Sequence, residues 1–268
     1  MQVATSSNFF HPIPHIESVR RLAKKGLDGI ELICEYPDDI AYFTQPQNLS
    51  TLLSLKDDYG IEYFIHAPWG DTNAASPNEG VRRATVDDWK RSIDFAHRLG
   101  SPLVTVHLGH RYTLESTDTA IGRAIKSVEE AAPMAQDAEI WLSVENTGQG
   151  ASQLFRNADD IVDIWNNMQM PFVGMTFDIG HAFLQGLDIC ECLERMALRL
   201  THVHIHDNLG QDDDHLPLGT GGIDLASALG TLREISYDQS FGIELAIRSY
   251  RPEVLTWSIN YLREAYRD

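Results

Sequence analysis

Six apolar runs of this sequence end on a histidine, an aspartate or a glutamate. The residues at these ends are His66, His107, Glu145, Asp178, the pair His204 and His206, and Glu244. Carboxylate oxygens and neutral imidazole nitrogens together form mixed sites for divalent metal ions. Converging carboxylates also repel one another unless a cation joins them. If the six ends meet in space, they predict a divalent metal site with acid–base groups beside it.

Short apolar runs alternate with longer segments of helical periodicity along the chain. The eight runs begin roughly 27 to 40 residues apart, and they are Gln2–Thr5, Gly29–Cys34, Tyr63–His66, Leu103–His107, Trp141–Glu145, Val173–Asp178, His202–His206 and Phe241–Ala246. This rhythm predicts an α/β fold, a (β/α)8 TIM barrel forming a single domain over residues 1–268. A doubly wound open sheet is the competing architecture, and it is disfavoured because no glycine-rich turn follows the first run. In a barrel, the polar ends meet at the carboxyl ends of the strands.

Capping residues mark where several helices are expected to begin. Ser76 and Glu79 predict a capping box, with Ser76 as the N-cap. Asn157 and Asp224 are expected to cap the helices that follow them, and Pro252 to begin the last helix.

Composition and charge exclude several classes of protein. The 268 residues carry 21 Lys and Arg against 39 Asp and Glu, a net charge of −18, which argues against a partner held through its phosphate backbone. The arginines expected near the rim of the barrel are too few to hold several phosphates, and they are Arg111, Arg156, Arg248 and Arg251. The sequence has no apolar run of about 18 residues that predicts a membrane span. It also shows no secretory signal, and its three scattered cysteines predict no disulfide framework. We therefore expect a cytoplasmic protein with no membrane or nucleic-acid partner.

The seventh run and the loop after it are rich in polar residues. His202, His204 and His206 share one face of the run, and one or two of them are expected to be structural. Asp212–His215 could form a solvated loop or hold a second cation or a sugar hydroxyl. The turn Gly219–Gly222 either offers free N–H groups to an anion or serves as a tight turn.

These motifs resemble the xylose isomerase-like superfamily of TIM barrels. That superfamily includes sugar and sugar-phosphate isomerases and epimerases, related dehydratases, and zinc-dependent apurinic endonucleases of the endonuclease IV type. The resemblance covers the second to eighth runs and is carried by Glu145, Asp178–His181, His204–Asn208 and Asp213–Asp224. The segments around Asp178 and after His206 are closer to the isomerases, whereas Glu145-Asn146-Thr147 followed by Gly-Gln-Gly is similar to the endonucleases.

The resemblance implies roles for individual residues. In the isomerase and epimerase branch, the metal ligands are Glu145, Asp178, His204 and Glu244. Glu145 and Glu244 also form the catalytic acid–base pair, and His181 contacts the substrate. Beyond the resemblance, we expect Trp69 and His206 to lie beside the substrate as well. In the endonuclease branch, further zinc ligands fall on His66, His107, His181, Asp213 and His215. The implied cofactor is a divalent ion such as zinc or manganese, with one to three ions per chain.

Three hypotheses follow for the function. The first is a metal-dependent isomerase or epimerase that acts on a small sugar or sugar phosphate. The second is a zinc-dependent phosphodiesterase of the apurinic endonuclease kind. The third is a metal-stabilised binding protein without catalysis.

Overall fold

The computed structural model describes residues 1–147, 154–155, 157–246 and 251–267. Eight parallel strands form a closed barrel in which every strand pairs with its sequence neighbours and the first pairs with the last. The strands are β1 Gln2–Ser6, β2 Gly29–Ile33, β3 Glu62–His66, β4 Leu103–His107, β5 Trp141–Glu145, β6 Val173–Asp178, β7 Leu200–Ile205 and β8 Ser240–Ile243. The predicted (β/α)8 barrel is therefore confirmed.

Helices surround the barrel and bury one apolar face against its strands. They are α1 His15–Ala23, α2 Pro37–Phe43, α3 Pro46–Tyr59, α4 Glu79–Leu99, α5 Thr117–Asp137, α6 Ala158–Asn167, α7 Ile179–Leu184, α8 Ile189–Met196, α9 Leu225–Glu234 and α10 Pro252–Arg267. Strands that are covered on both sides consist almost entirely of apolar residues. This explains why the apolar runs of the sequence coincide with the strands. Within the described part of the chain, no helix is both long and apolar enough to cross a membrane.

The interior of the barrel is polar near its middle. Thr105 of β4 and Ser143 of β5 both hydrogen-bond the hydroxyl of Thr176 on β6, at 3.1 and 2.7 Å between the oxygens. Glu31 of β2 and His202 of β7 are also buried here. Barrel interiors are usually filled by branched aliphatic side chains, so this layer of hydroxyl and ionisable groups is unusual.

Several predicted boundaries were wrong by one to three residues, among them the start of α4 and the end of β8. Helix α4 begins at Glu79 with Asn78 as its N-cap, because the Asn78 side chain accepts a hydrogen bond from the Gly80 amide. Ser76 instead accepts from the amide of Asn78 in the preceding turn. Strand β8 ends at Ile243, so Glu244 follows the strand, although its amide still donates to the Ile205 carbonyl.

Other predicted helix starts are confirmed. Asn157 accepts from the Asp160 amide and Asp224 from the Ser227 amide, and the last helix begins at Pro252. The cysteines Cys34, Cys190 and Cys192 are free thiols, as their spacing predicted.

Candidate active site

A cavity of about 630 Å³ opens at the carboxyl ends of the strands. Its lining includes most of the residues predicted to do chemistry, namely His66, Trp69, His107, Glu145, His181, Asp213, His215 and Glu244. Asp178, His204 and His206 are fully buried close to these side chains. The structure thus brings every predicted site residue to one end of the barrel.

The central group consists of Glu145, Asp178, His204 and Glu244, which we call the central cluster. One donor atom from each of Glu145, Asp178 and His204 lies within 4.8 Å of the others. The Nδ1 atom of His204 is 3.3 Å from Glu145 Oε1, 3.9 Å from Asp178 Oδ2 and 3.7 Å from Glu244 Oε1. Both His204 Nδ1 and Asp178 Oδ2 are buried without a hydrogen-bond partner.

Backbone contacts hold Asp178 with one oxygen directed into the central cluster. The side chain of Asn146 accepts from the Asp178 amide at 2.8 Å and donates to its carbonyl at 2.9 Å. Asp178 Oδ1 caps α7 by accepting from the His181 amide at 2.6 Å. Its other oxygen, Oδ2, is therefore left to face the cluster.

A second group joins β3, β4 and β5. His66 Nε2 and His107 Nε2 lie 3.2 and 2.9 Å from Glu145 Oε2, while Glu145 Oε1 faces the central cluster. His66 Nδ1 lies 3.0 Å from the Ala67 carbonyl and must donate to it. A neutral His66 ring would then direct its Nε2 lone pair at a carboxylate, which is favourable only if a proton or a metal ion lies between them.

A third group, the outer cluster, contains His181, His206, Asp213 and His215. The Nε2 atoms of His181 and His215 lie 3.3 and 3.1 Å from Asp213 Oδ2, and that of His206 lies 3.5 Å from Asp213 Oδ1. All three rings place Nδ1 against a main-chain carbonyl, at 2.9 Å for His181, 3.3 Å for His215 and 3.4 Å for His206. This orientation is typical of metal-binding histidines, whose second nitrogen donates to a carbonyl or a carboxylate.

Within these clusters, the buried imidazoles and carboxylates shift one another's pKa values. Burial opposes the charge on His204 and His181, but Glu244 beside His204 and Asp178 beside His181 hold both pKa values well above the usual range. Burial also opposes ionisation of Glu145, yet the charge of His204 holds the pKa of Glu145 well below its usual range. Protons on the rings thus balance the carboxylates, as a metal ion would do in their place.

The donor set and its orphaned atoms fit a divalent metal ion. Three carboxylates and one imidazole of the central cluster offer oxygen and nitrogen ligands, a mixture that zinc and manganese both accept. The unpartnered His204 Nδ1 and Asp178 Oδ2 gain a partner when such an ion binds.

Glu31, buried beneath the central cluster beside His202, was missed by the sequence analysis. Glu31 Oε2 lies 3.0 Å from His204 Nε2, and His202 Nε2 lies 3.9 Å from the same oxygen. The signal was present, because a glutamate in the middle of the apolar run Gly29–Cys34 must find a partner inside the barrel.

The turn Gly219–Gly222 binds an anion supplied by the chain itself. The buried carboxylate of Asp207 accepts from the amides of Gly219, Gly221, Ile223 and Asn208 at 2.8 to 3.2 Å. The tight-turn interpretation is therefore the correct one for these amides, and the alternative of a site for an external anion was wrong.

Acidic groups surround the mouth of the cavity. Asp212, Asp213 and Asp214 line it together with Glu244, and its lining in the described part of the chain contains no Lys or Arg. Arg111 is partly buried and Arg251 exposed, whereas Arg156 and Arg248 lie outside the described residues.

Comparison with known proteins gives both uncharacterized and characterised relatives. The uncharacterized protein MJ1311 of Methanocaldococcus jannaschii is 33% identical over 248 residues, which cover 91% of this chain and 83% of that protein. Fructoselysine 3-epimerase of Shigella flexneri is 23% identical over 239 residues, covering 87% and 85%. Probable endonuclease 4 of Aquifex aeolicus is 26% identical over 192 residues, covering 66% and 67%.

Solved structures show the same fold. A D-tagatose 3-epimerase-like protein superposes with a TM-score of 0.89 at 30% identity, over 100% of this chain and 97% of that one. The IOLI protein, whose structure holds a zinc atom, superposes with a TM-score of 0.79 at 17% identity, over 100% and 95%.

The family described as xylose isomerase-like TIM barrel matches residues 19–265. This match extends from α1 to the last helix and therefore includes every residue of the three clusters. The chain belongs to the xylose isomerase-like TIM barrel family.

Proposed function

We propose that this protein is a divalent-metal-dependent epimerase or isomerase acting on a small, unphosphorylated ketose. The observation that carries the proposal is the position of two glutamates at the carboxyl ends of β5 and β8, which lie three strands apart in the barrel. Glu145 Oε1 and Glu244 Oε1 both face His204 Nδ1 across the central cluster, at 3.3 and 3.7 Å. The epimerase relatives support the same class of reaction.

The central cluster supplies the ligands for the metal ion. Glu145, Asp178, His204 and Glu244 would hold it, a set favoured by its donor types and by the unpartnered atoms Asp178 Oδ2 and His204 Nδ1. When bound, the ion supplies Lewis acidity that polarises vicinal substrate oxygens and acidifies the C–H bond next to the carbonyl.

The two glutamates would move the proton. One carboxylate takes the hydrogen from the carbon next to the carbonyl, and the other returns a hydrogen to the opposite face of that carbon. His66 and His107 hold Glu145 through Oε2, and this leaves Oε1 directed at the cavity. Glu244 has a side chain 14% exposed, so it can exchange its proton with solvent between turnovers.

The walls of the cavity suit a neutral sugar. Trp69 packs its ring against His66, with 4.7 Å between centroids, and presents an apolar surface on which a sugar could lie. A cavity of about 630 Å³ is large enough for a monosaccharide. Asp212, Asp213 and Asp214 at the mouth would repel a phosphate group and accept hydrogen bonds from hydroxyls.

A metal-depletion experiment with a panel of ketoses tests the proposal. Chelator-treated protein should be inactive, and added Mn²⁺ or Zn²⁺ should restore conversion of at least one free ketose. The 6-phosphate of that ketose should be a poorer substrate. Full activity after chelation, or turnover restricted to phosphorylated sugars, would contradict the proposal.

The outer cluster and the second group give a specific reason to test a second function. Together with the central cluster they offer ligands for more than one zinc ion, as phosphodiester hydrolysis by clustered metals requires. The acidic mouth argues against DNA, so we expect no nicking of duplex DNA that contains an abasic site. Salt-sensitive nicking by the zinc-loaded protein would favour the phosphodiesterase instead.

A further inference from the structure

Glu31 and His204 face each other across the interior of the barrel. Glu31 lies on β2 and His204 on β7, and both residues are 0% exposed. His204 Nε2 is 3.2 Å from Glu31 Oε1 and 3.0 Å from Glu31 Oε2. Strands β2 and β7 are not neighbours, so this contact passes through the barrel beneath the cavity.

The two nitrogens of His204 point in opposite directions. Because a carboxylate only accepts, Nε2 carries the hydrogen and donates it to Glu31, which leaves the lone pair of a neutral ring on Nδ1. That Nδ1 atom faces Glu145, Asp178 and Glu244. In the outer cluster the opposite arrangement holds, with Nδ1 donating to main-chain carbonyls and Nε2 facing the carboxylates.

The fold leaves room for the contact between Glu31 and His204, because Gly242 of β8 has no side chain beside them. A Cβ atom on Gly242 of β8 would lie 2.9 Å from His202 Nε2, 3.0 Å from His204 Cδ2 and 3.3 Å from Glu31 Oε2. Burying a carboxylate is costly, and well-packed apolar side chains would often fill such a space at least as stably. A function other than packing therefore explains best why Glu31 is placed here.

We propose that Glu31 is a positioning residue for the metal site. Its carboxylate fixes the ring orientation and the tautomer of His204, and its negative charge makes Nδ1 a stronger ligand. The inference rests on the proposed function only in that the central cluster binds a divalent metal ion.

A Mn²⁺ titration of metal-free protein tests the inference, with free Mn²⁺ measured by electron paramagnetic resonance. Mn²⁺ is chosen because oxygen donors suit it, so it should select the carboxylate-rich central cluster over the histidine-rich groups. Glu31→Gln keeps the shape of the side chain and its ability to accept from Nε2, but removes the charge. We expect its Kd for Mn²⁺ to rise roughly 10- to 100-fold, the range found when outer-shell partners of metal ligands are lost.

Thr105→Val is the matched control. It removes a buried polar group from the same barrel interior, where Thr105 hydrogen-bonds Thr176 and not His204. Its Kd should stay within about threefold of the parent value. Equal weakening in both variants would overturn the inference, because general loosening of the barrel would then be the cause.

The remaining outcomes separate this inference from the proposed function. Unchanged affinity in Glu31→Gln overturns the positioning role and leaves the proposed function standing. A parent protein that binds no Mn²⁺ overturns both. Weakened binding in Glu31→Gln by a protein that converts no ketose supports the positioning role and contradicts the proposed reaction.

A measurement on the parent protein covers the case in which Glu31→Gln does not fold. In ¹⁵N-histidine-labelled, zinc-loaded protein, His204 should show a strongly hydrogen-bonded Nε2–H signal that exchanges slowly with solvent. Metal coordination by Nε2, or a rapidly exchanging Nε2–H, would overturn the inference.

Discussion

At the scale of single residues, the orientation of each histidine ring decides which nitrogen faces the site. Main-chain carbonyls accept from Nδ1 of His66, His181, His206 and His215, and Glu31 accepts from Nε2 of His204. Every one of these rings thereby turns its other nitrogen toward carboxylates. Residue types and their places on strand ends were predictable from sequence. Ring orientation was not, because for His204 it depends on a partner 173 residues away along the chain.

The two glutamates of the central cluster give the first prediction at this scale. Glu145→Gln and Glu244→Gln keep an oxygen ligand but remove the base, so turnover of the ketose should fall by roughly 10²-fold or more in either variant. Steady-state kinetics checks this, with circular dichroism to show that the fold survives. Glu35→Gln, at an exposed glutamate after β2, is the control and should retain the parent rate. Near-normal turnover in either cluster variant would show the two-carboxylate mechanism to be wrong.

His215 gives a second prediction, on the stability of the metal-free protein. Burial opposes the charge on His215, but its hydrogen bond with Asp213 and the charge of Glu244 raise its pKa from 6.5 to about 9. A raised pKa in the folded state contributes stability that is fully present below the unfolded pKa and is lost as the pH rises through the folded one. The stability advantage of the parent over His215→Gln should therefore be constant below about pH 6.5 and shrink up to about pH 9.

Thermal unfolding in the presence of chelator, from about pH 6 to about pH 10, measures this difference. The subtraction of His215→Gln from the parent removes the contributions of the other histidines. A difference that does not change across this range would contradict the assigned shift.

At the scale of elements, the site could be predicted because several apolar runs each end on a polar residue. The runs Leu103–His107, Trp141–Glu145 and Val173–Asp178 coincide with β4, β5 and β6 residue for residue. Residues outside the strands were harder to place. The start of α4 depends on whether Ser76 or Asn78 caps the helix, and both have suitable side chains. The partner of the Gly219–Gly222 amides is Asp207, which becomes their neighbour only when the loop folds back onto it.

Gly180 in the first turn of α7 gives a prediction at this scale. A Cβ atom there would lie 2.0 Å from His206 Cε1 and 2.2 Å from His206 Nε2. Gly180→Ala should therefore displace His206 and weaken zinc binding at the outer cluster by roughly 10-fold or more. Zinc competition against a chromophoric chelator would measure the change.

Gly122→Ala is the control for Gly180→Ala. Gly122 lies in α5, and a Cβ atom on it meets no heavy atom within 4 Å. This variant should bind zinc like the parent and be as stable or slightly more stable, since alanine is the better helix former. Zinc binding by Gly180→Ala that matched the control would show that His206 does not take part in the outer cluster.

At the scale of the whole molecule, the charge distribution bears on how many metal ions the chain retains. The net charge is −18, and the cavity is lined by the carboxylates of Glu145, Asp212, Asp213, Asp214 and Glu244. The negative potential of these carboxylates favours the binding of cations. In the metal-free state, protonated histidines balance part of the same negative charge. We predict one tightly held divalent ion per chain, with further ions bound only when zinc is plentiful.

Elemental analysis after mild dialysis checks the metal count. One ion per chain agrees with a site built from Glu145, Asp178, His204 and Glu244. Three zinc ions retained per chain would contradict the prediction and place the phosphodiesterase hypothesis above the sugar epimerase.

The central claim is that two glutamates move a proton at the carbon next to a ketose carbonyl. Incorporation of solvent deuterium tests it most directly, because the hydrogen that returns comes from the other carboxylate, which exchanges its proton with solvent between turnovers. Metal-loaded protein in heavy water should introduce deuterium at that carbon of a converted ketose, as followed by proton NMR. Glu145→Gln and Glu244→Gln should introduce roughly 10²-fold less in the same time. Conversion of the ketose without any deuterium at that carbon would contradict the account.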